Sequence, residues 1–416
     1  MKIPRASVII PSHNRCASLE RVLEGLRRQT PGQEDFEVIV VLDGTTDSSQ
    51  QMLARWRDEK RLLSLAWICQ EQQGQATARN VGANKAQGEV LVFLDDDVVP
   101  SPGLLQAHLR WHQQQDSVAV LGNCPVVKTE QSTWYDLVIW MWWEDMYYAR
   151  SQPGHIASYR DFCAGNISLR REDFRRVGGF DTEFRGYGGE DYDLGYRLLK
   201  QGVRFIVDQD AHAEHHHRGS ARAFLNSMRS EGRNDVLLGL KHPELRAGLR
   251  FLRQKNEMRV VFFFPAFCYL GMLVVRGLLA FYERFNLRGS WRRLFGKLRH
   301  YAYWRGVQER LGTWSAFEKY RTAIPEYSWC KLDITDGLPE KLPAMGSNGP
   351  CELMITAAGR ELGYFFIEEP LGGDVHALLA DRISSFLKPQ LWTYLSVKNI
   401  IPWEESATLI ERNKEN

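Results

Sequence analysis

The chain has 416 residues, 44% of them hydrophobic and 25% charged, with a formal net charge of +2. That balance excludes a disordered polyelectrolyte and a uniformly basic nucleic-acid binder, and the length predicts two or three domains. Seven cysteines stand at 16, 69, 124, 163, 268, 330 and 351 with no CxxC pair. Their scatter and odd number exclude a zinc framework and suit a reducing compartment. Met1-Lys2 leads into a strand-like run without the apolar core of a signal peptide.

In chain order, Ala6–Ile10 is a short apolar strand that stops at Pro11. Leu19, Val22, Leu23 and Leu26 recur at helical spacing between Ser18 and Gln29. Phe36–Leu42 is a second strand, Ser48–Trp56 a second helix and Ser64–Cys69 a third strand. Ala76–Ala86 is a third helix and Val90–Leu94 a fourth strand. Continuous apolar strands alternating with helices predict βαβ units, a parallel sheet buried on both faces. Ligands of such sheets gather beyond the carboxyl ends of the strands. The polar clusters Ser12-His13-Asn14-Arg15, Asp43-Gly44 and Asp95-Asp96-Asp97 fall at those ends. From Ser132 the chain becomes rich in aromatics, through Tyr147-Tyr148. Further strands are predicted at 162–169 and 203–207, with a helix from Glu190 to Gln201. Val260–Val275 is 16 residues without a charge. Beyond Cys330 two strands, at 353–356 and 364–367, flank a turn at Gly359-Arg360, and a helix is predicted near Asp374–Leu387.

Three features carry chemistry. Three consecutive carboxylates after Phe93-Leu94 repel one another and call for a cation or full solvation. They suit a hard divalent ion such as Mg²⁺ or Mn²⁺ shared with phosphates, or an acidic turn before Pro100. Gly188-Gly189-Glu190-Asp191, followed by Asp193, places acids at a helix start. There they either complement the helix dipole or include a base that accepts a proton from an attacking hydroxyl. His212, His215, His216 and His217 form a tract in which 215 and 217 share a face of a strand, as metal ligands or as a solvated turn.

The segments "ASVIIPSHNR", "VIVVLDGTTD", "GQATARNVGANKAQGEVLVFLDDD", "CAGNISLRR", "VGGFDTEF" and "GGEDYDLGYRLLKQG" follow one another in the order seen in family-2 glycosyltransferases. The stretch "FRGYGGEDYDLGYRL" also resembles part of the β-1,4-galactosyltransferases. The resemblance spans roughly residues 5–235. It implies an α/β GT-A domain with a mostly parallel central sheet, which binds a nucleotide-diphosphate sugar, a UDP-sugar above all. It implies that Pro11, Asn14 and Arg15 border the nucleotide and that Asp43 contacts the base. Leu42 stands where the family often has a further acid. Arg79 would lie near the diphosphate, and Asp95 and Asp96 would bind the donor. Asp97 with His215 and His217 would hold Mn²⁺ or Mg²⁺. Asp191 would be the general base of an inverting transfer and Glu190 its partner toward acceptor or sugar. The acceptor would be a glycan, lipid-linked or other hydroxyl. A nucleotidyltransferase of similar fold, or a non-catalytic sugar-binding relative, is the competing reading.

Between Arg246 and Arg310 there are 14 Lys and Arg against 3 acids, a local net of +11, so the rest of the chain carries −9. A basic block around an apolar run predicts an anionic partner surface, and no nucleic-acid recognition motif accompanies it. The organisation read from sequence is therefore a catalytic domain over 1–240, then a basic, apolar helical region over 241–329 that associates with membrane or packs. A small α+β accessory module over 330–416 completes it, resembling a β-rich module of some bacterial glycosyltransferases. The predicted location is cytoplasmic, peripheral at the inner face of the membrane.

Overall fold

The structure is a computed structural model that describes residues 3–29, 32, 35–128, 133–151, 157–217, 220–253, 275, 277–323, 329–333, 351–357 and 360–367. The chain divides into two compact units. One is built from 1–151, 156–238 and 257–314, the other from 152–155, 239–256 and 315–416.

The first unit holds an eight-stranded sheet in the order β3-β2-β1-β4-β7-β6-β8-β5. Its parallel part is β1 (Ala6–Ser12), β2 (Phe36–Asp43), β3 (Leu65–Gln70) and β4 (Val90–Leu94). Antiparallel to β4 runs β7 (Asn166–Arg170), which β6 (Val118–Asn123) also meets antiparallel. The long β8 (Arg204–His215) pairs parallel with β6 and antiparallel with β5 (Val98–Pro100). The α/β expectation with a mostly parallel sheet is met.

The apolar runs lack alternation because both faces are covered. Val8, Ile10, Val38, Val40, Val92 and Leu94 pack on Leu19, Leu23 and Leu26 of α1 (Cys16–Arg27) and on Leu53 and Trp56 of α2 (Ser49–Asp58). Ile9, Ile39, Leu91 and Phe93 pack on the other side, against Ala76 and Ala83 of α3 (Gln75–Lys85) and Leu194 and Leu198 of α7 (Glu190–Lys200). Gly82 lets α3 lie close, since a Cβ there would stand 2.5 Å from Ile9.

Other expectations needed revision in extent. The strand expected over 162–169 begins only at Asn166, after a single 3₁₀ turn at Tyr159–Asp161. The one expected over 203–207 continues to His215. The aromatic run becomes helix α5 (Trp134–Arg150). Helix α4 (Leu104–Gln114) and strands β5 and β6 were not anticipated, although α4 buries Leu104, Leu105, His108, Leu109 and His112 at helical spacing. Helix α6 (Arg171–Arg176) follows β7, and α8 (Ala221–Lys241) follows β8.

A polar chain runs through the core beside β7. Asn166 Nδ2 donates to the carbonyls of Asn123 and Ala211, at 3.3 and 2.8 Å. Its Oδ1 must then accept from His108 Nε2, at 2.9 Å. His108 Nδ1 in turn accepts from Ser168 Oγ, at 2.9 Å, which accepts from His112 Nε2, at 2.8 Å. This order of donors accommodates two neutral rings, with His112 Nδ1 lacking a hydrogen-bond partner among the described residues. Burial pushes His108 down to about 4 and His112 down to about 3.

Beyond α9 (Arg250–Arg253), the long helix α10 (Arg288–Leu311) belongs to the first unit. It crosses α8 at Gly232 and Gly306, where a Cβ on either would strike the backbone of the other helix. Glu309 pairs with Arg229 and Arg233, and the Tyr303 hydroxyl donates to Asp235. In the second unit, Phe251 packs on Phe317 and Tyr320 of α11 (Trp314–Thr322). There β9 (Trp329–Asp333), β10 (Cys351–Ala357) and β11 (Arg360–Ile367) form a three-stranded sheet, with β10 and β11 antiparallel; Gly359 of the expected turn lies outside the described residues. The helix expected near 374–387 lies outside the described residues.

The two histidines set an acid limit. The unfolded chain takes up their protons below about pH 6.5, whereas the folded chain resists until about pH 4 or lower. Stability is therefore unaffected by these groups above pH 6.5 and falls as pH drops toward 4. Denaturant titrations across that window should show the fall, and His112→Gln should shallow it. An unchanged slope in the variant would show that this chain does not carry the effect.

Candidate functional site

The site begins at the carboxyl end of β4, where three carboxylates are handled differently. Asp95 keeps its backbone N–H bonded to the Gly165 carbonyl and its side chain toward Arg79, at 2.9 Å. Asp96 is buried and accepts from Ser12 Oγ at 2.7 Å and from Arg15 at 3.2 Å. Burial, with the neighbouring Asp97 and Asp95, pushes its carboxyl up to about 7 against the pull of Arg15. Asp97 is as deeply buried, yet hydrogen bonding and charge from His215 and Arg15 outweigh burial and hold it well below the usual carboxylate range. Two adjacent acids thus reach opposite protonation preferences.

The end of β8 brings the histidines to Asp97. The His216 backbone N–H donates to the Asp97 carbonyl at 2.9 Å, fixing the two segments side by side. His215 and His217 turn to one face, and the ring of His216 turns away to Glu214, at 3.1 Å. One ligand atom each from Asp97, His215 and His217 lie within 4.8 Å of one another. His215 Nε2 is 3.4 Å from Asp97 Oδ1, and its buried Nδ1 has no hydrogen-bond partner among the described residues. Burial, then the nearby His215, lowers His217, which favours the neutral ring a metal needs. Aromatics of α5 wall this corner: Trp143 meets His215 edge-on at 5.4 Å, and the Tyr135 hydroxyl is 3.4 Å from His217. His212 stands earlier on β8, in register with Asn123.

The second acidic group sits at the start of α7. Gly186, Gly188 and Gly189 all have positive φ, between +82° and +95°. Gly189 also leaves no room for a side chain, because a Cβ would lie 2.7 Å from Phe184 and 2.9 Å from Asn234. Asn234 of α8 donates to the carbonyls of Arg185, Tyr187 and Gly188, clamping the loop. Glu190 is buried, and burial plus the Asp191 charge push it up to about 8. Burial also raises Asp191, whose Oδ2 accepts from the Ala164 N–H at 3.0 Å. Asp191 Oδ1 has no hydrogen-bond partner among the described residues. Asp193 faces away, pairing with Arg197, which also donates to the Val177 and Gly179 carbonyls.

Arg79 joins the two groups. Only 2% of its side chain is exposed, and it reaches Asp95 at 2.9 Å, Glu190 at 3.5 Å and Asp191 at 3.7 Å. The other sequence-selected residues form a neighbouring framework. Pro11 lies in β1, paired with Val41. Asn14, at φ +53°, accepts the N–H groups of Thr46 and Asp47. Asp43 accepts from Gln70 Nε2 and from the Gln73 and Gly74 N–H groups, at 2.7–2.8 Å. Its carbonyl accepts from His13 Nδ1 at 2.6 Å. Ser12 belongs to a polar cluster that the sequence places at this rim, but its bond to Asp96 has no local signature. Asn234, Trp143 and the Ala164 N–H act through contacts between distant segments and have none either.

Residues 7–178 match the profile of glycosyl transferase family 2, and residues 144–217 match the profile described as the N-terminal domain of galactosyltransferase. Similar curated proteins include validoxylamine A glucosyltransferase from Streptomyces hygroscopicus subsp. jinggangensis, 34% identical over 277 residues, with 58% of this chain and 63% of the relative covered. Chondroitin synthase from Escherichia coli is 26% identical over 238 residues, covering 50% of this chain and 34% of the relative. The chain thus spans less than two thirds of the length of these relatives. Among solved structures, a mannosyltransferase from Pyrobaculum calidifontis in complex with GDP-Man and Mn²⁺ gives a TM-score of 0.48 at 21% identity, covering 74% of this chain and 89% of that one.

Arg79 is itself almost fully buried and faces three acids, so its loss should be costly. Arg79→Met is expected to lower unfolding free energy by about 3–5 kcal/mol. Adding Asp95→Asn should restore part of it in urea titrations. No recovery in the double variant would mean that the arginine acts by packing alone.

Proposed function

We propose that the protein is an inverting, metal-dependent glycosyltransferase that moves a sugar from a nucleotide-diphosphate sugar, a UDP-sugar by the family resemblance, to an acceptor hydroxyl. One observation carries this reading: Arg79 holds an acidic helix start beside a carboxylate cluster whose last member, Asp97, gathers with two histidines within 4.8 Å. The resemblance to a glucosyltransferase at 34% identity supports it.

Asp97, His215 and His217 would hold the metal. Two imidazoles and one carboxylate, gathered within 4.8 Å with a His215 Nδ1 that has no hydrogen-bond partner among the described residues, fit a divalent transition ion such as Mn²⁺ better than the oxygen-seeking Mg²⁺. When bound, the ion supplies positive charge for the diphosphate leaving group. Pro11, Asn14, Arg15, Asp43, Asp95 and Asp96 border the donor. Asp191 is the base. Its Oδ2 is fixed by Ala164, and its Oδ1, which faces Arg79 at 3.7 Å without a hydrogen bond, takes the acceptor proton. The acceptor oxygen bonds the anomeric carbon from the face opposite the diphosphate as the bond to the leaving oxygen breaks. A raised pKa makes Asp191 a stronger base than a free carboxylate. Glu190, raised to about 8, stays protonated at neutral pH and donates a hydrogen bond to sugar or acceptor.

No helix among the described residues is long and apolar enough to cross a membrane. The basic block supports peripheral work at the cytoplasmic face of an anionic membrane, on a glycan, lipid-linked or other hydroxyl acceptor.

Two outcomes test the chemistry. Asp191→Asn should keep donor affinity and lose about 10²–10⁴-fold in turnover. The native rate should fall on the acid side as Asp191 protonates and on the alkaline side as Glu190 ionises near pH 8. Glu190→Gln should remove the alkaline limb. Turnover of Asp191→Asn within a few-fold of native would sink the base assignment. In a second test, Asp97→Asn or EDTA should nearly abolish transfer and weaken Mn²⁺-dependent donor binding seen by thermal shift. Full activity under either condition would remove the metal role.

A further inference from the structure

Nine large apolar side chains are exposed among the described residues, and four of them fall within ten positions: Leu278, Phe281, Phe285 and Leu287. Residues 277–284 are helical and have two apolar faces. Leu279 and Tyr282 point inward, onto the cluster of Tyr135, Ile139, Trp291 and Phe295. Leu278 and Phe281, with Phe285 just past the helix, recur at i, i+3 and i+7 on the outside, where a water-facing helix would carry polar residues. Phe281 and Phe285 are 49% and 60% exposed, and their ring centroids stand 4.6 Å apart. Glu283 accepts from Trp291 Nε1 at 2.8 Å, which ties this helix to α10.

The charge around the patch has one sign. Glu283 is the sole acid between 277 and 308, against Arg284, Arg288, Arg292, Arg293, Lys297, Arg299 and Arg305. Arg284, Arg288, Arg292, Arg293 and Lys297 are exposed. A purely polyanionic partner would satisfy the arginines and leave four apolar side chains in water. An anionic bilayer satisfies both, with phosphates at the surface and an acyl boundary beneath.

We propose that this face, Leu278 to Lys297, seats the protein on an anionic lipid surface. Leu278, Phe281, Phe285 and Leu287 enter the headgroup–acyl boundary, and Arg284, Arg288, Arg292 and Arg293 meet lipid phosphates. The assignment rests on the peripheral-membrane reading above and names the surface that carries it.

The experiment is co-sedimentation of the full chain with phosphatidylcholine vesicles and with phosphatidylcholine–phosphatidylglycerol vesicles, at low and high salt. The native chain should pellet with the anionic vesicles and be partly released by salt, because screening weakens the charge contribution alone. Phe281→Ser with Phe285→Ser should lower vesicle affinity by about tenfold or more at either salt level. Arg292→Glu with Arg293→Glu should lower it at low salt and flatten the salt dependence. Both pairs are exposed, so the thermal midpoint should stay native, which shows that each variant is folded. Native-like vesicle binding by both variants overturns this surface and leaves the peripheral reading standing. Failure of the native chain to bind either vesicle overturns the peripheral reading itself. A native dimer by light scattering that Phe281→Ser with Phe285→Ser converts to a monomer, without vesicle binding, assigns the face to a second copy of the chain and overturns the proposal.

Discussion

The site depends on the mutual repulsion of carboxylates crowded around two arginines. Asp95, Asp96, Asp97, Glu190 and Asp191 converge from two segments of the chain that sequence keeps almost a hundred residues apart. Their charges cannot all persist without compensation. Arg15 serves Asp96 and Asp97, Arg79 serves the other three, and the two pairs with the longest reach are also the ones that hold the sheet end and α7 together. The unmet remainder is absorbed by protonation, as the raised Asp96 and Glu190 show. The same electrostatic strain that would unfold an unsupported cluster becomes a graded set of acids, some ionised and some not.

The scaffold serves this cluster by geometry. Parallel strands β1, β2 and β4 end together, so their following loops meet at one rim. The antiparallel β7 then returns the chain beneath that rim, and Gly165 passes so near Asp95 that a Cβ would lie 3.0 Å from its carboxylate oxygen. Long β8 delivers the histidines from the far side of the sheet. Each acidic group is therefore carried by a different strand connection, and the arrangement is only as rigid as the sheet that joins them.

Much of this was legible in the order of residues. The unalternating strands predicted a sheet covered on both faces, and both faces are covered. The family resemblance pointed Asp97, His215 and His217 to one cluster, and the ring of His216 does turn away to Glu214, although β8 ends at His215 and strand alternation does not extend to it. What stayed hidden has a common physical cause. Helix α5 reads as undifferentiated aromatics because it packs against more than one neighbour, so no single apolar stripe marks it. Strand β5 is only three residues long, below what periodicity can register. Asn234 sits in an ordinary polar position of α8, and its task is defined by carbonyls of a loop that only the folded chain brings to it. Arg79 lies in a family-like segment, but its near-complete burial between three acids has no trace in local sequence.

The glycine crossing of α8 and α10 has a consequence for how this protein tolerates change. Gly232 and Gly306 meet backbone to backbone, so the helices are keyed at one axial position and cannot slide past each other by small repacking. Each residue inserted in α10 ahead of Gly306 would turn everything before it by about 100° around the helix axis. Trp291 and Phe295 would swing off α5, and the outward arginines would swing with them. The exposed face of α10 is thus phase-locked to the crossing. Chain-length variation should be far better tolerated after Gly306 than in the stretch between Arg288 and that glycine.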